Sequence, residues 1–151
     1  MASDADILAI AGPMVERDEG CRLVAYPDPL SGGEPWTIGY GCTGPGIGPG
    51  AVWSQDEAQM ALTSRLKAIV AGLDGAIPWW RGLMAPRAAV LVDMAFNLGV
   101  EGLLAFHNTL CAVRQGNWLT ASADMLLSRW AQEVPDRAER LAAQMRTGVV
   151  R

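Results

Sequence analysis

The sequence predicts an α+β domain in which a small β-hairpin lobe and a larger, mainly helical lobe are joined by a long helix. Three observations predict it. Residues 19–43, EGCRLVAYPDPLSGGEPWTIGYGCT, hold two short β-type runs separated by turn residues. Residues 54–73 open with a helix-start signal and continue as an amphipathic run. From Pro86 onward, apolar runs at helical spacing are punctuated by Gly and Pro. At 151 residues and 50% hydrophobic, the chain has material for one domain with a real core. No repeat, low-complexity tract or linker divides it. The expected boundaries are a hairpin lobe over about 20–50 and a helical lobe over about 55–151, with the N-terminal helix added to the latter.

Taken in order, Ser3 or Asp4 can cap a first helix. Its apolar positions are Ile7, Leu8, Ala11, Met14 and Val15, and Gly12-Pro13 is expected to kink or restart it. Glu19 closes that run and Gly20 is a natural stop. Leu23, Ala25 and Tyr26 suggest a strand cut off by Pro27-Asp28-Pro29, and residues 36–41 its return. The alternating glycines of 44–50 lack a GK[ST] ending and a preceding βαβ unit, so they read as a structural turn and not a phosphate loop. Ser54-Gln55-Asp56-Glu57 is a capping box, in which the serine and glutamate side chains each satisfy the other residue's amide. Trp79-Trp80 begin a short element, where packing is the default role for two aromatics. RAAVLVDMAFNLG, apolar on most sides, belongs in the centre of a core and should end at Gly99. Asn108 or Thr109 starts the next helix and Gly116 stops it. Asn117 opens another, and the last runs from Pro135-Asp136 to Gly148.

Composition removes several function classes. The net charge of −4 argues against nucleic acid, which needs a basic footprint. The charge is uneven: residues 1–50 carry seven acids against two arginines, and 129–151 five arginines against three acids. Cys21, Cys42 and Cys111 are an odd set without CxxC spacing, which reads as free thiols. A single histidine, His107, leaves no cluster to hold a metal, and nothing orders it with Cys42 as a nucleophile pair. The first twenty residues show no basic n-region and only a short, broken apolar run, so neither a signal peptide nor a membrane anchor is expected.

The chemistry-bearing pattern is two acids nine residues apart, Glu19 and Asp28, followed by Thr37. Glycosidic cleavage needs a proton for the leaving oxygen and an anion to stabilise an oxocarbenium-like transition state. Glu19, at the foot of an apolar helix, is the better donor; Asp28, in a polar turn, is the better permanent anion. Thr37 can orient a water beside Asp28, its branched side chain limiting the rotamers. By spacing alone, such acids are more often solvated surface residues. Glu16 and Asp18 read as solvated or ion-paired, and Glu34 as a turn residue able to face a cleft.

These residues resemble the active-site segment of the bacteriophage-type lysozymes, the endolysins of glycoside hydrolase family 24. That pattern is Glu-Gly at a helix end, an Asp nine residues on, and Thr-Ile-Gly-x-Gly-His-Thr on the next strand. Glu19-Gly20, Asp28, Thr37-Ile38-Gly39-Tyr40-Gly41 and Thr43 match it, while Cys42 stands where the family has His and the hairpin is longer than in the shortest members. DMAFNLG, FHNTL and SRWAQEVPDRAERLAAQMRTG resemble later family segments, so the likeness covers about nine-tenths of the chain. It implies a lysozyme-like fold with the cleft between the lobes, and a muramidase with Glu19, Asp28 and Thr37 catalytic. It also implies Phe96, Asn97 and Thr109 along the saccharide cleft, and ion pairs Glu19–Arg137 and Asp18–Arg140. Phe96 is equally at home as a core aromatic, and Asn97 as a cap beside Gly99. No cofactor or metal is implied. The implied partner is bacterial peptidoglycan, met by a monomer without stable membrane association. It would be held in the host cytoplasm and reach the periplasm through a separate holin-type pore. A lytic transglycosylase and a non-catalytic wall-binding module are the other classes compatible with the fold.

Overall fold

The computed structural model describes all 151 residues. Seven α-helices, one 3₁₀ turn and a two-stranded antiparallel sheet make an α+β fold of the lysozyme type. The order is α1 (Asp4–Glu19), β1 (Arg22–Tyr26), β2 (Thr37–Gly39), α2 (Gln55–Ala76) and a 3₁₀ turn (Pro78–Gly82). Then come α3 (Ala85–Leu104), α4 (His107–Arg114), α5 (Trp118–Leu126), α6 (Arg129–Glu133) and α7 (Pro135–Thr147). Contacts divide the chain into two compact units, Gly12–Ala68 and a second made of Met1–Ala11 with Ile69–Arg151. The boundaries fall inside α1 and α2.

In the unit Gly12–Ala68, the end of α1 feeds the hairpin. Ser3 caps α1 by accepting the Asp6 amide at 3.1 Å. The helix runs through Pro13 without ending, so the expected restart does not occur. Gly20, at φ +66°, stops it and donates its amide to the Glu16 carbonyl at 3.0 Å. Arg22 pairs with Gly39 and Tyr26 with Thr37 across the sheet. On its other edge β1 meets Val52, with Ala25 donating to Ala51 and Trp53 to Leu23 at 2.9 and 2.8 Å. The glycine-rich stretch thus carries the chain back to the same sheet. The expected capping box is present: the Ser54 amide donates to Glu57 Oε1 at 3.2 Å and the Glu57 amide to Ser54 Oγ at 3.1 Å. Two amides at the start of α2 are thereby satisfied. Val15, Ile38, Ala58, Leu62 and Leu66 are buried here.

The second unit is helical. Every residue from Arg87 to Phe96 on α3 is buried, as its apolar composition predicts. A fully buried Leu such as Leu91 is worth about 1.5–3 kcal/mol over an exposed one. Gly99 takes φ +79°, breaking the helical conformation where the sequence marks an end, but helical structure resumes to Leu104. α7 packs on α3, α5 and α6. Its end is fixed by Gly148 in the left-handed conformation and by the buried Arg87. That guanidinium donates to the carbonyls of Met145 and Arg146 at 2.7 and 3.1 Å and lies 4.0 Å from the Trp118 ring centre. Carbonyls left open at a helix end thus find a cation, although burial pushes the Arg87 pKa down. Asn117 caps α5 by accepting the Thr120 amide at 3.3 Å.

Candidate active site

Glu19, Asp28 and Thr37 all lie in the unit Gly12–Ala68. Each is half-buried, which leaves part of every side chain reachable from solvent. Glu19 is the last residue of α1, and the stop at Gly20 is what delivers its side chain to the hairpin. There the carboxyl lies against Gly41: a Cβ built on Gly41 would stand 2.9 Å from Glu19 Oε2.

Asp28 is fixed by its own turn. Its carbonyl accepts the Gly32 amide at 2.8 Å, its amide donates to the Gly33 carbonyl at 3.0 Å, and Oδ2 accepts the Ser31 amide at 3.1 Å. An aspartate bonded to the backbone three residues on is the ordinary reason for Asp at such a bend. The turn also contains a cis peptide between Glu34 and Pro35, and Ser31 Oγ donates to the Glu34 carbonyl at 2.7 Å. Thr37 opens β2 opposite Tyr26, so its place in the strand sets the face of the sheet from which its side chain leaves.

The turn after β2 holds Gly39-Tyr40-Gly41 between two reciprocal bonds, Ile38 amide to Cys42 carbonyl and Cys42 amide to Ile38 carbonyl, both 2.9 Å. Both main-chain groups of Cys42 are thus engaged, and its thiol lies 3.9 Å from the Thr43 carbonyl. Tyr40 Oη accepts Gln55 Nε2 at 3.0 Å, and Gln55 Oε1 accepts the Cys21 thiol at 3.9 Å. Arg65 Nη1 donates to the Gly41 carbonyl at 3.4 Å. Cys21, Cys42 and Cys111 are free thiols. No group of three or more His, Cys, Asp or Glu side chains gathers as a metal site.

Phe96, Asn97, Thr109 and Arg137, also implied by the resemblance, lie in the helical unit. Phe96 is 2% exposed and Thr109 0%, so neither offers surface to a saccharide in this conformation. Phe96 fills the core, and Thr109 Oγ1 bonds Asp124 Oδ2 at 2.5 Å. Asn97 is exposed, and its Oδ1 accepts the Trp130 indole N–H at 2.7 Å. The Trp130 ring in turn meets Phe106 edge-on, 6.0 Å between centres. Beside them is a cavity of about 530 Å³ lined by Phe106, His107, Asp124, Leu127, Trp130 and Glu133 among others. Arg137 is buried on α7 and donates through Nε to Asp93 Oδ1 at 2.8 Å. The contacts of Gly41, Arg65 and Asp124 escape a reading of the sequence. Only their distant neighbours give them meaning, although the glycine alternating with Tyr40 was a visible signal.

The chain is 28% identical over 168 aligned positions to the pre-baseplate central spike protein Gp5 of Enterobacteria phage T4, covering 89% of this chain and 27% of that protein. It is 28% identical over 64 positions to a probable T4-type lysozyme 1 of Dictyostelium discoideum, covering 42% of this chain and 38% of that protein. The chain thus spans well under two thirds of either relative. The model of the phage lysozyme family matches residues 16–146, taking in the hairpin with Glu19, Asp28 and Thr37 as well as the helices through α7. With most of its length matched and the fold of that kind, the chain belongs to the phage lysozyme family.

Proposed function

We propose that the protein is a muramidase that hydrolyses the β-1,4 bond between N-acetylmuramic acid and N-acetylglucosamine in bacterial peptidoglycan. The observation that carries this reading is the seating of the Glu19 carboxyl at the hairpin, in the same unit as Asp28 and Thr37 and inside the family match. Glu19 gives its proton to the glycosidic oxygen as the bond to the anomeric carbon breaks. Asp28, as a carboxylate, stabilises the positive charge developing on the sugar ring. With the Thr37 hydroxyl, it orients the water whose oxygen completes the bond at that carbon. Asp28 takes the proton that the water gives up, and exchange with solvent then reprotonates Glu19 and returns Asp28 to its carboxylate form. No cofactor takes part. In this reading the enzyme is a phage or prophage endolysin that acts as a monomer. It meets the wall in the periplasm, reached from the host cytoplasm through a separate holin-type pore, and lysis follows. No single helix is long and apolar enough to cross a membrane.

Mass spectrometry of fragments released from purified peptidoglycan tests the reading. Reducing N-acetylmuramic acid ends are expected. Ends in 1,6-anhydro form would show a lytic transglycosylase, in which a sugar hydroxyl replaces water and Asp28 is dispensable. Wall binding without release would show a non-catalytic module. Either result overturns the proposal.

A further inference from the structure

We infer that Gly41 is a positioning residue for Glu19: the turn Gly39-Tyr40-Gly41 is a rigid backbone seat whose missing Cβ fixes where the acid's carboxyl stands. This rests on reading Glu19 as the proton donor. The first observation is steric. A Cβ on Gly41 would lie 2.9 Å from Glu19 Oε2 and 3.7 Å from Cδ, closer than real Cβ contacts come. Any other residue there must displace the carboxyl or the backbone. Gly41 also has φ +74°, a left-handed conformation that costs an L-residue extra.

The second observation is that the backbone cannot readily give way. The turn is closed by the paired Ile38 and Cys42 bonds at 2.9 Å. Gly39, at φ +63°, sits on Trp53, where a Cβ would meet ring carbons at 3.0 and 3.1 Å. Tyr40 is tethered through its hydroxyl to Gln55 at 3.0 Å. Arg65, from α2, donates to the Gly41 carbonyl itself at 3.4 Å. With the peptide planes held on several sides, a Cβ at position 41 moves the carboxyl and not the turn. A general acid works only within hydrogen-bond reach of the atom it protonates, and a misplacement near 1 Å can cost about 10²-fold.

Gly46 supplies the control. It has φ +83° and nothing within 4 Å of a built Cβ, so Gly46→Ala carries similar backbone strain without a carboxyl to displace. In the full chain, Gly41→Ala should lower kcat on purified peptidoglycan by about tenfold to a hundredfold with KM little changed. Gly46→Ala should leave both within about twofold. The contact itself is read by melting temperature. Gly41→Ala should lower Tm more in the wild type than in a Glu19→Ala background, where the carboxyl is gone. Equal Tm losses in both backgrounds, or kcat for Gly41→Ala matching that of Gly46→Ala, overturn the inference. Should Gly41→Ala not fold, Arg65→Ala tests the same seat from an exposed position. A several-fold fall in kcat at near wild-type Tm, partly restored by Arg65→Lys, supports it, and unchanged kcat overturns it. Failure of the underlying reading looks different: Glu19→Ala would then keep its activity, whatever the Tm coupling shows.

Discussion

Glu19 and Asp93 are both helix carboxylates, and the protein treats them in opposite ways. Glu19 ends α1, half-buried, with its carboxyl against the bare Cα of a glycine turn. Asp93 lies in the middle of α3, 0% exposed, with the buried Arg137 donating to it at 2.8 Å. A carboxylate wholly removed from water needs a paired cation and hydrogen bonds, because its desolvation otherwise costs several kcal/mol. In the proposed reaction Glu19 hands a proton to the substrate, a role that complete burial would not allow. At the hairpin, the backbone of Gly41 lies against the carboxyl of Glu19, and the side chain stays half-buried. The helical unit frames its acid with side chains, which cover without leaving access.

The sharpest way to break this comparison is to neutralise each acid in turn. Glu19→Gln should fold and melt close to the wild type while losing roughly 10²–10⁴-fold in lytic rate, since an amide has no proton to give. Turbidity clearance by purified variant at near wild-type rate would sink the assignment. Asp93→Ala should show the reverse order of causes. It leaves the Arg137 guanidinium buried beside an apolar gap and should cost about 3–5 kcal/mol in denaturant unfolding. Its activity should fall only as far as its folded fraction does. If instead Asp93→Ala kept its stability, the buried pair would not be the scaffold element described here.

Much of this contrast was legible in the residues, and what was not has a common cause. Local signals spoke clearly where the physics is local. The Ser54–Glu57 box, the Asn117 cap and the stops at Gly20 and Gly148 each depend on residues within one turn. At Pro13 the restart, one of the two expected outcomes, does not occur, because a proline inside a helix is tolerated when the surrounding packing carries the helix past it. Gly99 broke the conformation as expected, yet the chain turned and went on helical to Leu104, which no single glycine announces. Phe96 and Thr109 were implied as saccharide contacts by their place in family segments, but their burial depends on the whole helical core. The seat at Gly41 was invisible for the same reason. Its partners, Glu19 and Arg65, are 22 and 24 residues away in the sequence.

The comparison is sharpened further at Cys42, which shares the turn that seats Glu19 and stands where the family has His. If backbone frames the acid, the side chain at 42 is dispensable, because both of its main-chain groups are already engaged with Ile38. Cys42→Ala should keep most of its lytic activity and lose on the order of 1 kcal/mol of stability, as a partly buried small side chain does. Cys42→Ser should behave alike, and thiol titration of the denatured, unreduced protein should find all three cysteines free. A Cys42→Ala protein that melts normally but no longer turns over would place the thiol in the chemistry and undo the backbone account.

Asp74 offers the smallest effect and an intermediate case: a carboxylate paired as fully as Asp93 but left near water. Arg81 grips it with two donors, Nε to Oδ1 and Nη2 to Oδ2, both 2.8 Å, and the Trp80 indole adds a third at 2.8 Å. Arg81 also meets Asp4, which ties the chain's start to the 3₁₀ turn. The Arg81 hydrogen bonds hold the Asp74 pKa down at about 2, against a smaller opposing pull from desolvation, with Trp80 and the Arg81 charge adding to the fall. A depressed folded pKa stabilises the folded state above the unfolded value, 3.8, and that contribution is lost as pH drops toward 2. Because the Asp74 side chain is 41% exposed, water screens the pair, and the whole contribution should stay below about 1 kcal/mol. Unfolding free energies of the wild type and Asp74→Asn, measured in parallel, should differ by a constant small amount above pH 4 and converge between pH 4 and 2. Added salt should shrink the gap further, as it would not for the buried Asp93–Arg137 pair. A gap of several kcal/mol, or one indifferent to acid, would mean that pairing alone, and not burial, makes a carboxylate structural in this protein.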